Sequence, residues 1–242
     1  MPSSVRLYNL VLEKPYWNWV ETTVCFRVSE CDFTRNFILI FQASIVMPDA
    51  DLSMAVPAVF FGAVGTAGQR CTSTRRLYLH REIAPTFLTA LQKLYASLRV
   101  GDPLVEGTLL GPLHTRAAVG IYSNAIHRLR ERGAQILTGG QKYDQDHLKG
   151  GNFVQPTIAI PSSTDPGDDI WSSETFAPIL NVAVFDELEQ AIAWNNGVPQ
   201  GLSSSLWTRD IRNIGKWIGP EGVDTGIVNV CFLLQLRSES LR

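Results

Sequence analysis

Four cysteines, Cys25, Cys31, Cys71 and Cys231, are the residues with nucleophilic or metal-binding potential, and their spacing separates those uses. None forms a C-x-x-C pair and no paired histidines lie nearby, so neither a zinc site nor a disulfide framework is predicted. Cys71 carries the most chemical promise. It follows the small-residue turn Gly62-Ala-Val-Gly-Thr-Ala-Gly68 and is flanked by Arg70 and Thr72. A nearby cation and exposed backbone N–H groups favour the nucleophilic thiolate, although a lone cysteine beside an arginine is more often structural or incidental. The three glycines are spaced G-x-x-G-x-x-G, which is not the dinucleotide fingerprint, and they do not follow a strand.

A reactive thiol needs a frame, and the periodicity supplies one. From about Asp51 onward helical patterns alternate with short β-rich runs, the signature of an α/β fold with an open, twisted, mostly parallel sheet flanked by helices. Asp51 is placed to cap a helix through Leu52, Ala55, Val56, Val59 and Phe60. Strands are predicted at 76–80, 179–185, 202–208 and 226–230, with Gln135-Ile-Leu-Thr138 ending at Gly139-Gly140 and Asn152 to Ile160 extended and β-rich. Helices are predicted at 84–98, where Phe87, Leu88, Leu91, Leu94, Tyr95 and Leu98 share a face, and at 115–132, 186–196 and 210–218. The segment from Pro161 to Ser173, rich in Pro, Ser, Asp and Gly, reads as a surface loop. Residues 1–42 carry no placeable pattern, and 231–242 break off after a core-like strand.

Composition narrows the partners. The 242 residues are 45% hydrophobic and 18% charged, with a formal net charge of −2, enough to bury a core without staples. Scattered Lys and Arg give no electrostatic footprint for nucleic acid or an anionic membrane. The longest apolar run, Phe37 to Met47, is interrupted by Gln42 and Ser44 and is too short to span a bilayer; it reads as a buried strand or helix. No targeting signal is recognisable, so a cytoplasmic or mitochondrial location is expected.

The string Phe61-Gly-Ala-Val-Gly-Thr-Ala-Gly-Gln-Arg-Cys-Thr72 closely resembles the catalytic-cysteine signature of the aldehyde dehydrogenase superfamily. About 100 residues later Glu174-Thr-Phe-Ala-Pro178 is similar to that family's Glu-x-Phe-x-Pro motif, and Gly226-Ile-Val-Asn-Val230 looks like its Gly-x-Val-x-Asn region. Gly111-Pro-Leu-His-Thr115, Ala193-Trp-Asn-Asn196 and Gln200-Gly-Leu-Ser-Ser-Ser205 resemble the antiquitin branch, the α-aminoadipic semialdehyde dehydrogenases of lysine breakdown. The resemblance implies an NAD-dependent oxidation of a small-molecule aldehyde to an acid. Cys71 would be the nucleophile that forms the thiohemiacetal and thioester, with its backbone N–H stabilising the oxyanion. Glu174 and Phe176 would hold the nicotinamide ribose, and Arg70 would meet the substrate's distal carboxylate. Asn229 reads as structural. No metal is implied.

The same comparison predicts a partial molecule: a catalytic-domain core at 43–230, a family-unlike segment at 1–42 and a divergent tail at 231–242, with the N-terminal NAD-binding domain missing, as in an alternatively spliced or mispredicted product. The family's general-base glutamate should lie upstream of the cysteine, but the corresponding stretch reads Phe37-Ile-Leu-Ile-Phe-Gln42. No glutamate occurs between Glu30 and Glu82. The isolated chain is therefore expected to be inactive or strongly impaired. Two other functions compete: a noncatalytic fragment that associates with full-length homologous subunits or has no function, and a cysteine hydrolase pairing Cys71 with His80 or His114.

Overall fold

A computed structural model describes residues 23–26, 42–143, 148–199 and 201–231. Among these residues eight strands form one sheet: β1 (Thr23–Phe26), β2 (Gln42–Val46), β3 (Thr74–His80), β4 (Gln135–Thr138), β5 (Thr157–Ile160), β6 (Ile179–Phe185), β7 (Ser203–Trp207) and β8 (Ile227–Cys231). Their spatial order is β1-β8-β7-β2-β3-β6-β5-β4. From β8 through β5 every pairing is parallel, while β1 and β4 pair antiparallel at the two edges. This is the open, mostly parallel sheet that the alternating pattern predicts.

Helices α1 (Leu52–Val64), α2 (Ala84–Ala96) and α3 (Arg116–Glu131) cover one face, and α5 (Leu188–Asn196) and α6 (Ile211–Ile218) cover the other. Strand alternation feeds both layers. In β3, Leu77 and Leu79 pack with Phe87 and Leu91 of α2, whereas Tyr78 packs with Phe185 and Trp217 on the opposite side. All of these side chains are buried, and each contributes about 1.5 to 3 kcal/mol of transfer free energy. Side-chain caps set where helices start: Asp51 accepts from the Ser53 N–H, Thr115 from Ala118 and Asp210 from Arg212.

Two local expectations change. The stretch 161–173 is not wholly a surface loop. It contains one helical turn, α4 (Asp169–Ser172), capped by Asp168, and it buries Ile170 and Trp171. The Trp171 indole N–H donates to the Ser163 carbonyl at 2.8 Å. Of the extended run 152–160, only Thr157–Ile160 joins the sheet as a strand, and Val154 makes an isolated bridge to Lys142.

Among the described residues no helix is long and apolar enough to cross a membrane, and no group of three or more His, Cys, Asp or Glu is gathered as a metal site. The aromatic stretch Tyr16 to Trp19, Cys31, the run Phe37 to Phe41 and the tail after Cys231 lie outside the described residues.

Candidate active site

The cysteine sits where α1 hands over to β3. After Val64 the chain passes through Thr66 (φ 55°), Ala67 (φ 54°) and Gly68 (φ 69°), three successive left-handed residues. For Thr66 and Ala67 this conformation costs about 1 to 2 kcal/mol each, so neighbouring contacts must enforce it. Gln69 provides several of them. Its backbone N–H and side-chain amide both donate to the Thr66 carbonyl, at 3.1 Å each. The amide also donates to the Pro112 carbonyl at 3.3 Å, while its oxygen accepts from the His114 backbone N–H at 2.9 Å. The glutamine thus staples the Gly111–Thr115 motif to the cysteine turn. Next, the Ser73 N–H donates to the Arg70 carbonyl at 3.1 Å, and the Arg70 N–H donates to Ser73 Oγ at 3.1 Å. This closed turn carries Cys71 and Thr72 at its apex, and the Cys71 thiol is free and exposed.

The second motif arrives at the head of β6. Because β3 and β6 are adjacent and parallel, the residues leading into them are neighbours. The contact is close: a Cβ on Gly68 would lie 2.5 Å from the Ala177 oxygen and 2.9 Å from the Pro178 nitrogen, so only glycine fits at this φ. Phe176 is itself left-handed, at φ 43°.

Arg75, in β3, joins the two motifs. It is buried, and its guanidinium donates to the carbonyls of Gly68 (3.0 Å), Arg70 (3.3 Å) and Ala177 (3.5 Å). It also lies over the Phe176 ring, 4.7 Å from the centroid. Burial pulls the guanidinium down to about 10, opposed by the nearby charges of Glu174 and Cys71. It remains cationic at neutral pH. A cavity of about 30 Å³ lies behind the segment, lined by Arg75, Ser173, Thr175 and Asn181.

Cys71, Glu174 and Phe176, far apart in sequence, therefore meet around Arg75. The half-buried Arg70 turns its guanidinium onto the Phe61 ring, 5.0 Å from the centroid, and leaves Nε buried without a hydrogen-bond partner among the described residues. Asn229 donates to the Ser204 carbonyl at 3.3 Å, within the sheet. His80 stands at the far end of the seven-residue β3 from the cysteine turn, roughly 20 Å away at the rise of a strand. His114 Nδ1 contacts Gln69 Oε1 at 2.9 Å. Gln69 stands in the signature string with no role read for it there, and Arg75 did not stand out in the sequence. The signal for Arg75 was two consecutive arginines opening an otherwise apolar strand, because arginine is seldom fully buried without a task.

Comparison with known proteins places this geometry. A profile of the Aldehyde dehydrogenase family matches residues 42–237. "Aldehyde dehydrogenase family 7 member A1" of Pisum sativum is 52% identical over 189 residues, covering 78% of this chain and 36% of that protein. "Alpha-aminoadipic semialdehyde dehydrogenase" of Bos taurus is 47% identical over 189 residues, covering 78% and 34%. The crystal structure of Staphylococcus aureus betaine aldehyde dehydrogenase in complex with NAD+ superposes with a TM-score of 0.68 at 27% identity, covering 71% of this chain and 34% of that one. The chain spans about a third of the length of the curated relatives it matches.

Proposed function

The chain belongs to the aldehyde dehydrogenase family, and on that premise we propose that it carries the nucleophile-bearing part of an NAD-dependent oxidation of an aldehyde, α-aminoadipic semialdehyde or a related compound, to a carboxylic acid. The supporting observation is that the Cys71 turn and the Glu174–Pro178 segment come together at the heads of two adjacent strands. The exposed Cys71 thiolate attacks the aldehyde carbon, and the resulting thiohemiacetal oxyanion is stabilised by the Cys71 backbone N–H. NAD, when bound, supplies the oxidising power that converts this adduct to a thioester. The half-buried Glu174 fits the cofactor because a carboxylate is acceptor-only and can take hydrogen bonds from two ribose hydroxyls, with Phe176 packing beside the same ring. Arg70, half-buried beside the nucleophile, brings a planar fork of donors suited to a distal carboxylate on the substrate.

Hydrolysis of the thioester needs a base, and no glutamate lies between Glu30 and Glu82. The two described aspartates in that interval are engaged elsewhere. Asp49 accepts from Thr208 Oγ1 and the Arg209 N–H, and Asp51 caps α1 and pairs with Arg209 at 2.9 Å. Deacylation is therefore slow, by ~10² to 10⁴ relative to an enzyme with its base. With p-nitrophenyl acetate, which acylates a thiol without NAD, a hydroxylamine-sensitive acyl adduct should collect on the Cys71 peptide, absent in Cys71→Ala, and NAD with the semialdehyde should give no steady rise at 340 nm. An adduct that forms equally in the alanine variant would overturn the nucleophile assignment, and sustained NADH production would overturn the block in deacylation.

In this reading residues 43–230 are the catalytic-domain core, 1–42 and 231–242 are flanking segments, and the setting is cytoplasmic or mitochondrial. A noncatalytic role through association with full-length subunits is favoured by one observation: α6 carries two exposed isoleucines, Ile211 and Ile218, seven residues apart and so on one side of the helix. Co-elution with a co-expressed complete enzyme on size exclusion is its test; separate elution removes it.

A further inference from the structure

The Cys71 N–H belongs to a peptide whose other end is tightly held. The Arg70 carbonyl accepts from the Ser73 N–H at 3.1 Å and from Arg75 Nη2 at 3.3 Å. In a planar trans peptide the C=O and the following N–H point in opposite directions. Two donors on the Arg70 oxygen, both from buried residues, therefore turn the Cys71 N–H away from the buried Arg75, and the thiol of the same residue is exposed. One of those donors is local and neutral. The other is a buried cation that reaches three carbonyls from both motifs and packs on Phe176.

We propose that Arg75 is a positioning residue that orients and polarises the Cys71 backbone N–H as an oxyanion donor and fixes it relative to the Glu174–Ala177 segment. The proposal rests on the reading of Cys71 as the nucleophile. Three features of the geometry support it. The guanidinium withdraws charge through the Arg70 carbonyl, which strengthens the N–H at the other end of the same peptide. Its bond to the Gly68 carbonyl holds the end of a left-handed turn that Thr66 and Ala67 would otherwise leave. Its bond to the Ala177 carbonyl makes the placement of the turn depend on the second motif. None of these hydrogen bonds is made to the thiol. The guanidinium charge also lies near the Cys71 sulfur, but that effect is common to every reaction of the thiolate, so the ratio of two reactions isolates what Arg75 does through the peptide.

The test compares two reactions at one sulfur, each followed by mass on the Cys71 peptide of the full 242-residue chain. With p-nitrophenyl acetate the thiolate attacks the ester carbonyl, a C–S bond forms and the carbonyl oxygen carries the negative charge. The C–O bond then breaks, p-nitrophenolate leaves with the electron pair and a thioester remains. With iodoacetamide sulfur displaces iodide at a saturated carbon and no oxyanion forms. Arg75→Met should slow acylation by about 10-fold or more, less than the ~10² to 10³ lost when an oxyanion donor is removed outright, and change alkylation by less than about 3-fold. Arg75→Lys, which keeps the charge but not the fork, should recover part of the ratio. Equal slowing of both reactions in the lysine variant, or an unchanged ratio in both variants, overturns the proposal. If Arg75→Met does not fold, the lysine variant alone decides. Should the parent chain acylate no faster than a small free thiol, the nucleophile reading fails instead, so the two failures are distinguishable.

Discussion

Replacing Gly68 by alanine tests whether the meeting of the two motifs is built on a single missing side chain. Two costs add. A non-glycine residue at φ 69° costs about 1 to 2 kcal/mol. The new Cβ would also sit 2.5 Å from the Ala177 oxygen and 2.6 Å from its carbonyl carbon, where ordinary contact begins near 3.4 Å. The Ala177–Pro178 backbone must then retreat by about 0.9 Å, which costs about 1 to 3 kcal/mol as overpacking. That retreat breaks the 3.5 Å bond from Arg75 to the Ala177 carbonyl, worth about 1 kcal/mol. The expected loss is about 3 to 6 kcal/mol, or a fall in Tm on the order of 10 °C for a domain of this size. Gly133 provides the control, since it has φ 74° but nothing within 4 Å of the position an added Cβ would take; Gly133→Ala carries only the conformational part. Scanning calorimetry of both variants should show Gly68→Ala several degrees below Gly133→Ala. Equal Tm values would refute the claim that the second motif presses on the turn.

Other perturbations probe the scaffold around the site. Burial pushes the Tyr122 hydroxyl up to about 12 from an ordinary 10.0. Above pH 10 the unfolded chain releases a proton that the folded chain keeps, so stability should fall from there by about 2 to 3 kcal/mol toward pH 12. Tyr122→Phe should reduce that slope in denaturant titrations without abolishing it, because burial also raises Tyr78 and Tyr95, while losing about 1 kcal/mol at neutral pH with its bonds to Gln155 and Thr157. The Arg128 and Arg132 guanidiniums hold Asp169 below the usual carboxylate range. Its stabilisation is present above the unfolded value of 3.8 and lost as pH falls through the lower folded one. The side chain is 48% exposed, so Asp169→Asn should cost less than about 1 kcal/mol in urea melts at neutral pH, and less still in high salt. Gln69→Ala removes the staple to Pro112 and His114, and hydrogen exchange at the His114 amide should accelerate by at least about 10-fold.

Much of this architecture was legible because period and capping agree in the sequence. Asp51, Thr115 and Asp210 each open the helix they cap, and the apolar run 179–185 is a strand at its predicted bounds. The motif residues Cys71, Glu174 and Phe176 could be named from their strings alone. What tied them together could not, because it depends on pairing between strands distant in the chain. β3 and β6 adjoin in space although α2, α3, β4, β5 and α4 lie between them in sequence. Arg75 and Arg76 look alike in sequence, yet strand alternation sends them to opposite faces. Arg75 reaches the site, while Arg76 donates to Tyr78 Oη and to the Trp194 and Asn195 carbonyls at the end of α5. The buried turn around Trp171 was hidden for a different reason: two apolar residues within a Pro, Ser and Asp-rich stretch give too little periodicity to register.

The place of β2 in the sheet has a consequence for synthesis. This strand lies between β3 and β7. The β3 edge can be closed as soon as α1 and β3 have been made, since the crossover is local. The β7 edge waits, because Ser44 and Ser205, whose hydroxyls meet at 2.7 Å, are 161 residues apart. At about 5 to 20 residues per second a ribosome takes on the order of 10 to 30 s to deliver that partner. During that interval a central strand with a fully apolar flank at Ile45 and Val46 presents an open backbone edge. The nascent chain is therefore most vulnerable to unwanted strand pairing between completion of the cysteine turn and emergence of the serine-rich strand.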